Sequence, residues 1–445
     1  MLPLSYNAGG LMSFTEFLTE EKLLKIYNDK IMYSGSIGVD KTNNYEFKKN
    51  IIRNIKKIIR DVSNHKYSLK PYKVILIPKN IDSKPRKVCV PTIRDRLIIE
   101  ALKEYLYLCY DNYNLNFGIS NLITKFIGDY NGHKYSKYIK ADLTTYFDLV
   151  NHKRLILKIK NKVSDELAID LLTQILKNSQ KHNDTIIDRN DVGIPQGLSI
   201  SMLLANIYML DIDNYFKKIK EVHYYRYVDD IFIFCNRNVY INYIKLKIQI
   251  SKNKLKLNKS KTRISKIMHP FVFLGYSLMN DCVSVKEQSI TKLENSLEKL
   301  FKNYKHNKNK EELLWRLNIR ISGAICNNKK YGWLFYFNKI NDLELLYHLD
   351  DLVLKFKKRY DVIGIDNKKF IEAYYQIKKS DIKNNDYFFN VDKATDEEKK
   401  DILHNITDFS KEEIGKLSNK DLDYNYKIAV FKCLKSLEMD LDNIS

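Results

Sequence analysis

Apolar positions recur at helical spacing from about Phe14 to Ser63, broken by the glycine-containing stretch SGSIGVDKT, Ser34 to Thr42. That pattern predicts helices on either side of a loop. At Tyr72 the pattern changes. YKVILIP is a β-rich run, KNIDSKPRK reads as a basic turn, and VCV reads as a second strand. Helical period returns in RDRLIIEALKEYLYL, Arg94 to Leu108. The middle of the chain mixes both kinds of element. KYIKADL (Lys137 to Leu143) alternates like a half-buried strand, and KRLILKIKNKV (Lys153 to Val163) reads as a helix. SMLLANIYMLDIDNYF (Ser201 to Phe216) predicts a long apolar helix. YYRYVDDIFIF (Tyr224 to Phe234) is two β-rich runs around an acidic pair, the mark of a hairpin. From about Ser289 the chain reads as mostly helical, with capping-box signatures at Thr395 to Glu398 and Ser410 to Glu413. No internal repeat is evident.

Composition adds a partner class. The chain has 445 residues, 44% of them hydrophobic, enough for several packed units and against global disorder. Lys plus Arg is 76 and Asp plus Glu is 54, a net charge of +22. That excess fits a polyanion such as nucleic acid, or a lysine-rich proteome; composition alone leaves both open. The six cysteines form no C-x-x-C pair and no Cys/His cluster with zinc spacing, as expected of a reducing, cytoplasmic setting. No signal peptide and no apolar run of roughly 18 or more residues is found, so no membrane association is expected. Lys, Asp and Asn dominate after about Lys378, which reads as a solvated helical face.

The candidate chemistry begins at Tyr227-Val228-Asp229-Asp230. Adjacent aspartates between apolar strands are costly if buried without compensation. A hairpin tip would project them, and hard divalent cations prefer such oxygens. Alone, the tetrapeptide is more often ordinary turn chemistry. Asp142, at the end of KYIKAD, supplies a carboxylate from a second element. Two-metal phosphoryl transfer needs carboxylates arranged so, around ions about 3.5–4 Å apart. The third element is Val192 to Ser199, VGIPQGLS, which opens the helix from Ser201. Its glycines permit close backbone approach to a substrate and the helix start favours negative charge, although a plain loop-to-helix junction would look the same.

In this order, KADLTTYFD, GIPQGLSISMLLANIYM and YRYVDDIFIF resemble the core motifs of reverse transcriptases, nearest the bacterial lineage of group II intron, retron and defence-associated enzymes. LKLNKSKTRIS (Leu255 to Ser265) resembles the family's lysine-bearing segment, and Phe273-Leu274-Gly275-Tyr276 its primer-grip turn. IPKNIDSKPRKVCVPTIRDRLI resembles its triphosphate-binding fingers segment, so the motifs span about Ile77 to Tyr276. The resemblance implies an α+β right-hand polymerase with fingers over 1–125, a palm with an antiparallel sheet over 126–278, a thumb over 279–345 and a helical C-terminal region over 346–445. It implies Asp142 and Asp229 as principal ligands of two Mg²⁺ ions, with Mn²⁺ as a substitute, Asp230 as third acid and the Leu143 carbonyl as a further oxygen. Phe147 would exclude a 2′-hydroxyl, and Gln196 and Gly197 would line the nascent base pair. Lys79 and Arg86 would grip the triphosphate, Lys261 would meet the departing pyrophosphate, and Tyr227 and Gly275 would hold primer and template. Read without the family, Phe147 is equally a core residue, and Lys79 and Lys261 are solvated lysines.

The segment Asn116 to Tyr130 matches the family loosely. Its Phe117-Gly118-Ile119-Ser120 lacks the usual arginine, so no substrate contact is assigned there. No zinc-bearing endonuclease tail and no ribonuclease H constellation is found. LLWRLNIRISG (Leu313 to Gly323) and KKYGWLFYF (Lys329 to Phe337) combine basic and aromatic side chains, suited either to duplex contact or, for Trp333, Leu334 and Phe335, to helix core. That stretch resembles the thumb of antiviral defence-associated enzymes, in particular the smaller polymerase of the type 3 two-polymerase systems. The resemblance implies RNA template, dNTPs and DNA product as partners, with a structured non-coding RNA and a second polymerase in a homo- or hetero-oligomer. A group II intron or retron enzyme, and a non-catalytic RNA-binding subunit, are the alternatives.

Overall fold

A computed structural model describes residues 12–78, 85–111, 118–183, 185–187, 191–379 and 385–441. The chain divides into two compact units, one of Met1–Gly118 with Lys137–Ile264, the other of Ile119–Ser136 with Ser265–Ser445.

The first unit opens with short helices whose starts are written locally. Ser13 and Glu16 form a capping box, Thr19 caps Glu20–Ile26, and Asn43 and Glu46 form a second box. Thr92 caps the long helix Ile93–Cys109. The strands are β1 (Tyr72–Ile77), β2 (Arg86–Val90), β3 (Lys137–Asp142), β4 (Gln180–His182), β5 (Thr185–Ile187), β6 (Val222–Tyr227), β7 (Asp230–Cys235) and β8 (Arg263–Lys266). They make two sheets, ordered β2-β1-β4-β5 and β6-β7-β3-β8. In the second sheet β7 runs antiparallel to both β3 and β6. All six residues of β7 are buried, which explains why IFIF shows no alternation: both of its faces are covered. Ile231 and Ile233 are fully buried, each contributing about 1.5–3 kcal/mol by transfer from water. Phe232 stacks on Tyr138 across the strands at 5.0 Å. The helix Ser201–Lys217 packs on β6 and on the helix His152–Lys160, and its Leu203, Leu204, Ile207 and Ile212 join the same core.

The second unit holds the helix Ile119–Asn131 and a meander of β9 (Phe271–Phe273), β10 (Tyr276–Met279) and β11 (Cys282–Val285). Phe126 lies 4.5 Å from Phe273 between ring centroids. The helices Glu287–Asn307, Lys310–Ser322, Leu343–Arg359 and Phe370–Lys378 follow, then Asp396–Ile406, Lys411–Gly415 and Asn419–Met439. Both capping boxes read from the sequence are formed, at Thr395 with Glu398 and Ser410 with Glu413.

The structure departs from the mostly helical reading at one place. β12 (Ala324–Cys326), β13 (Lys329–Tyr331) and β14 (Phe389–Asn390) make a small sheet. Asn327 and Asn328 turn the hairpin with φ of 49° and 60°, left-handed values that asparagine tolerates. Gly323 and Gly332 flank it at φ 81° and 126°, and a Cβ on Gly332 would stand 2.8 Å from the Gly323 Cα. Trp333, Leu334 and Phe335 are buried here, so they are core and not a stacking surface for nucleic acid. Arg320 is buried too, with Nη2 donating to the Ser436 hydroxyl (2.9 Å) and Nε 3.5 Å from the Asp440 carboxylate.

Candidate active site

The β6–β7 hairpin places the acidic pair. Tyr227 and Asp230 are its last paired residues, and Val228 and Asp229 form the turn between them. Val228 has φ 57°, a left-handed value that costs a β-branched residue on the order of 1–3 kcal/mol. Arg226 holds that conformation. Its Nη1 donates to the Val228 carbonyl (3.0 Å) and to Asn206 Oδ1 (3.1 Å). Its Nε and Nη2 grip both oxygens of Asp213 on the helix Ser201–Lys217 at 2.8 and 2.6 Å. Burial pulls the guanidinium down, but the Asp213 charge and hydrogen bonds outweigh it and hold Arg226 above its ordinary value.

Asp230 begins β7 and Asp142 ends β3, and the two are in register across the sheet. The Leu143 N–H donates to the Asp229 carbonyl at 3.3 Å, which ties the strand end to the hairpin tip. Asp230 is 3% exposed. Lys140 Nζ lies 4.0 Å from its Oδ2, and its buried Oδ1 finds no hydrogen-bond partner among the described residues. Burial, with Asp229 and Asp142 repelling and Lys140 only partly offsetting, pushes this carboxyl up to about 7.

Asp142 is served from another segment. Asn258 N–H donates to the Asp142 carbonyl (2.7 Å), Thr144 N–H donates to the Lys256 carbonyl (2.9 Å), and Leu143 bridges Leu257. This stitching brings Asn258 Nδ2 to 3.4 Å and Lys261 Nζ to 3.3 Å from Asp142 Oδ2. The Lys261 side chain is 65% exposed, so its charge is reachable from solvent.

Among the described residues no three His, Cys, Asp or Glu side chains form a ready-made metal cage. The carboxylates nevertheless fit hard divalent ions. Asp230 has a buried oxygen short of positive charge, Asp142 lies across the strand, and Mg²⁺ characteristically takes few protein oxygens beside waters and substrate phosphates.

The GIPQG loop is fastened on two sides. Gly193 and Ile194 N–H donate to the carbonyls of Val150 and Phe147, both at 2.7 Å, and His152 Nε2 donates to the Gly193 carbonyl at 2.6 Å. On the other side Cys89 N–H donates to the Gln196 carbonyl (2.7 Å), and Arg86 Nε donates to Gln196 Oε1 (2.7 Å). Gly197 has φ 97°, and a Cβ there would stand 2.6 Å from Val88 Cγ1 and 2.8 Å from the Cys89 carbonyl. Only glycine fits so close to β2. Arg86, Gln196 and Gly197 are therefore brought together. Phe147 and Tyr227 are half-buried, each packed against the core of the first unit.

Gly275 lies in the second unit. It turns the β9–β10 hairpin with Leu274, at φ 79° and 50°. Lys79 lies outside the described residues, as does Phe117 of the junction segment. Sequence reading missed Arg226, Asp213 and Asn258. A charge inside each of two apolar elements, strand YYRY and helix LDIDNYF, was the available signal, because a buried charge requires a partner.

Residues 77–278 match the family model described as reverse transcriptase (RNA-dependent DNA polymerase). A putative COX1/OXI3 intron 2 protein of Saccharomyces cerevisiae is 26% identical over 212 residues, 45% of this chain and 24% of that protein. The group II intron-encoded protein LtrA of Lactococcus lactis is 27% identical over 174 residues, 37% of this chain and 28% of its own length. Protein YkfC of Escherichia coli is 28% identical over 172 residues, 36% of this chain and 44% of its own. The chain thus spans less than half the length of each of these relatives. The matched segment holds Asp142, the GIPQG loop and the Val228–Asp229 turn in one mixed α/β frame with an antiparallel sheet, and its match to the reverse transcriptase model is consistent with a right-hand polymerase fold.

Proposed function

We propose that the chain is an RNA-directed DNA polymerase that adds dNTPs to a 3′-hydroxyl. The observation carrying this is the in-register pair Asp142 and Asp230, the latter with a buried oxygen lacking a partner. Asp142, Asp229, Asp230 and the Leu143 carbonyl would hold two Mg²⁺ ions, or Mn²⁺ in their place, which supply the charge that acidifies a 3′-hydroxyl and stabilises pyrophosphate. The protein's own groups do the rest. Arg86, oriented by Gln196, and Lys79 grip the triphosphate. Lys261, beside Asp142, meets the negative charge that develops on the leaving group and can give it a proton. Gln196 and Gly197 line the nascent pair, Phe147 stands beneath the incoming sugar, and Tyr227 and Gly275 hold primer and template. In this reading the fingers, palm, thumb and C-terminal region fall at 1–125, 126–278, 279–345 and 346–445.

The names of the relatives, intron 2 protein and group II intron-encoded protein, support an intron-type role as a second reading. Use of the DNA in antiviral defence, with a structured non-coding RNA and a second polymerase, rests on the stretch after residue 313, beyond the matched segment.

Purified protein with poly(rA), oligo(dT), Mg²⁺ and labelled dTTP should extend the primer. Phe147→Ala should incorporate ribonucleotides at least about tenfold better relative to dNTPs, since removing a steric block recovers on the order of 1.4 kcal/mol or more. No extension on any RNA template would contradict the polymerase reading, and unchanged sugar selectivity would remove Phe147 from it.

A further inference from the structure

The helix Val239–Lys252 begins four residues after β7 ends and leads toward the Lys256–Asn258 segment that lies along Asp142–Thr144. Its inner face is ordinary: Val239, Leu246 and Ile250 are buried in the core of the first unit. Its outer face is not. Tyr240, Ile241, Ile244 and Ile248 are 70, 51, 54 and 48% exposed. Their spacing, with 241, 244 and 248 at i, i+3 and i+7 and 240 one turn before 244, makes a single stripe about 12 Å long. A helix apolar on both faces is built for two partners, and the stripe is the side without one among the described residues.

The charge around the stripe says what kind of partner. By helical geometry Lys245 and Lys252 border one side of it and Lys247 the other. These three lysines make no ion pair among the described residues. No Asp or Glu occurs between Asp230 and Asp281, so the surrounding sequence is basic throughout. We infer that this face docks an acidic amphipathic helix of a partner protein, with apolar residues on the isoleucine stripe and carboxylates toward the flanking lysines. A second copy of the same face would set lysine against lysine. Nucleic acid would engage the lysines and leave the isoleucines in water. A membrane surface calls for a broader apolar face than a two-turn stripe.

The test uses the full chain and two fluorescein-labelled synthetic helical peptides with identical Leu and Ile positions, one otherwise rich in Glu and one in Lys. Fluorescence anisotropy at roughly 0.15 M salt should show the Glu peptide binding at least about tenfold tighter. Ile244→Glu with Ile248→Glu should lose that binding while the melting temperature is kept, because both positions are exposed. Lys245→Glu, Lys247→Glu and Lys252→Glu together should reverse the preference toward the Lys peptide, a gain that misfolding cannot produce. Equal binding of both peptides by the unaltered protein, or no reversal in the charge-swapped variant, overturns the proposal. So does self-association by sedimentation velocity, or binding to phosphatidylserine vesicles, that the isoleucine variant abolishes in place of peptide binding.

Discussion

At the residue scale, the hairpin tip is set by a side chain that makes no appeal to catalysis on its face. Arg226 spends four hydrogen bonds holding Val228 in a disfavoured conformation and tying β6 to Asp213. It is a positioning residue for Asp229 and Asp230. Removing one partner of such a buried pair leaves the other charge uncompensated, at about 3–5 kcal/mol. Asp213→Asn should therefore destabilise the protein by that order in chemical denaturation. The double replacement Arg226→Met with Asp213→Leu should recover much of the stability but not primer extension, because nothing then holds the Val228 carbonyl. Recovery of both would show that the pair only packs. Residue type and order alone single out the three acids and Lys261 as candidates. Arg226 and Asn258 were not, because their importance lies in what they touch across the sheet.

At the element scale, local signals set what the sequence could reveal. Ser13, Thr19, Thr395 and Ser410 start helices where their side-chain oxygens meet a free N–H three residues on, and the two boxes of Thr395 with Glu398 and Ser410 with Glu413 were read directly. β3 forms where KYIKAD was read as a strand, but Tyr138 and Ile139 are both buried, so the half-buried alternation holds only from Ile139 onward. The β12–β14 sheet did not show itself. Strands of three and two residues carry too little periodicity, and the parallel pairing of Ala324 with Phe389 joins positions far apart in the chain. Its consequence is that the aromatic run after Gly332 faces inward. Trp333→Ala should cost about 3–5 kcal/mol in stability. Affinity for a primer–template duplex, measured below the melting temperature, should stay within about twofold. A large loss of affinity with unchanged stability would restore the stacking role.

At the scale of the whole molecule, the matched segment draws residues from both compact units, since 77–278 includes the helix Ile119–Asn131 and the β9–β10 hairpin. No helix among the described residues is long and apolar enough to cross a membrane. No disulfide joins the six cysteines, and only Cys282 is exposed. Burial, reinforced by Asp392, pushes the Cys326 thiol up to about 12. Thiol titration of the native protein at pH 8 should label Cys282 first, with Cys89, Cys235, Cys326 and Cys433 reacting only after unfolding. Fast labelling of Cys326 in the folded state would contradict the packing of the small sheet. The +22 charge alone leaves a polyanionic partner open, and the polymerase reading rests instead on the register of particular carboxylates.

The central claim is that Asp142, Asp229 and Asp230 act together on a primer terminus, and one measurement bears on it most directly. Primer extension on an RNA template by the unaltered protein is compared with Asp229→Asn combined with Asp230→Asn, alongside RNA affinity for both. Extension should fall by at least about 10³-fold, beyond the loss expected of a single displaced electrostatic contact, while RNA affinity changes little. DNA product from the double variant equal to that of the unaltered protein would place the chemistry elsewhere.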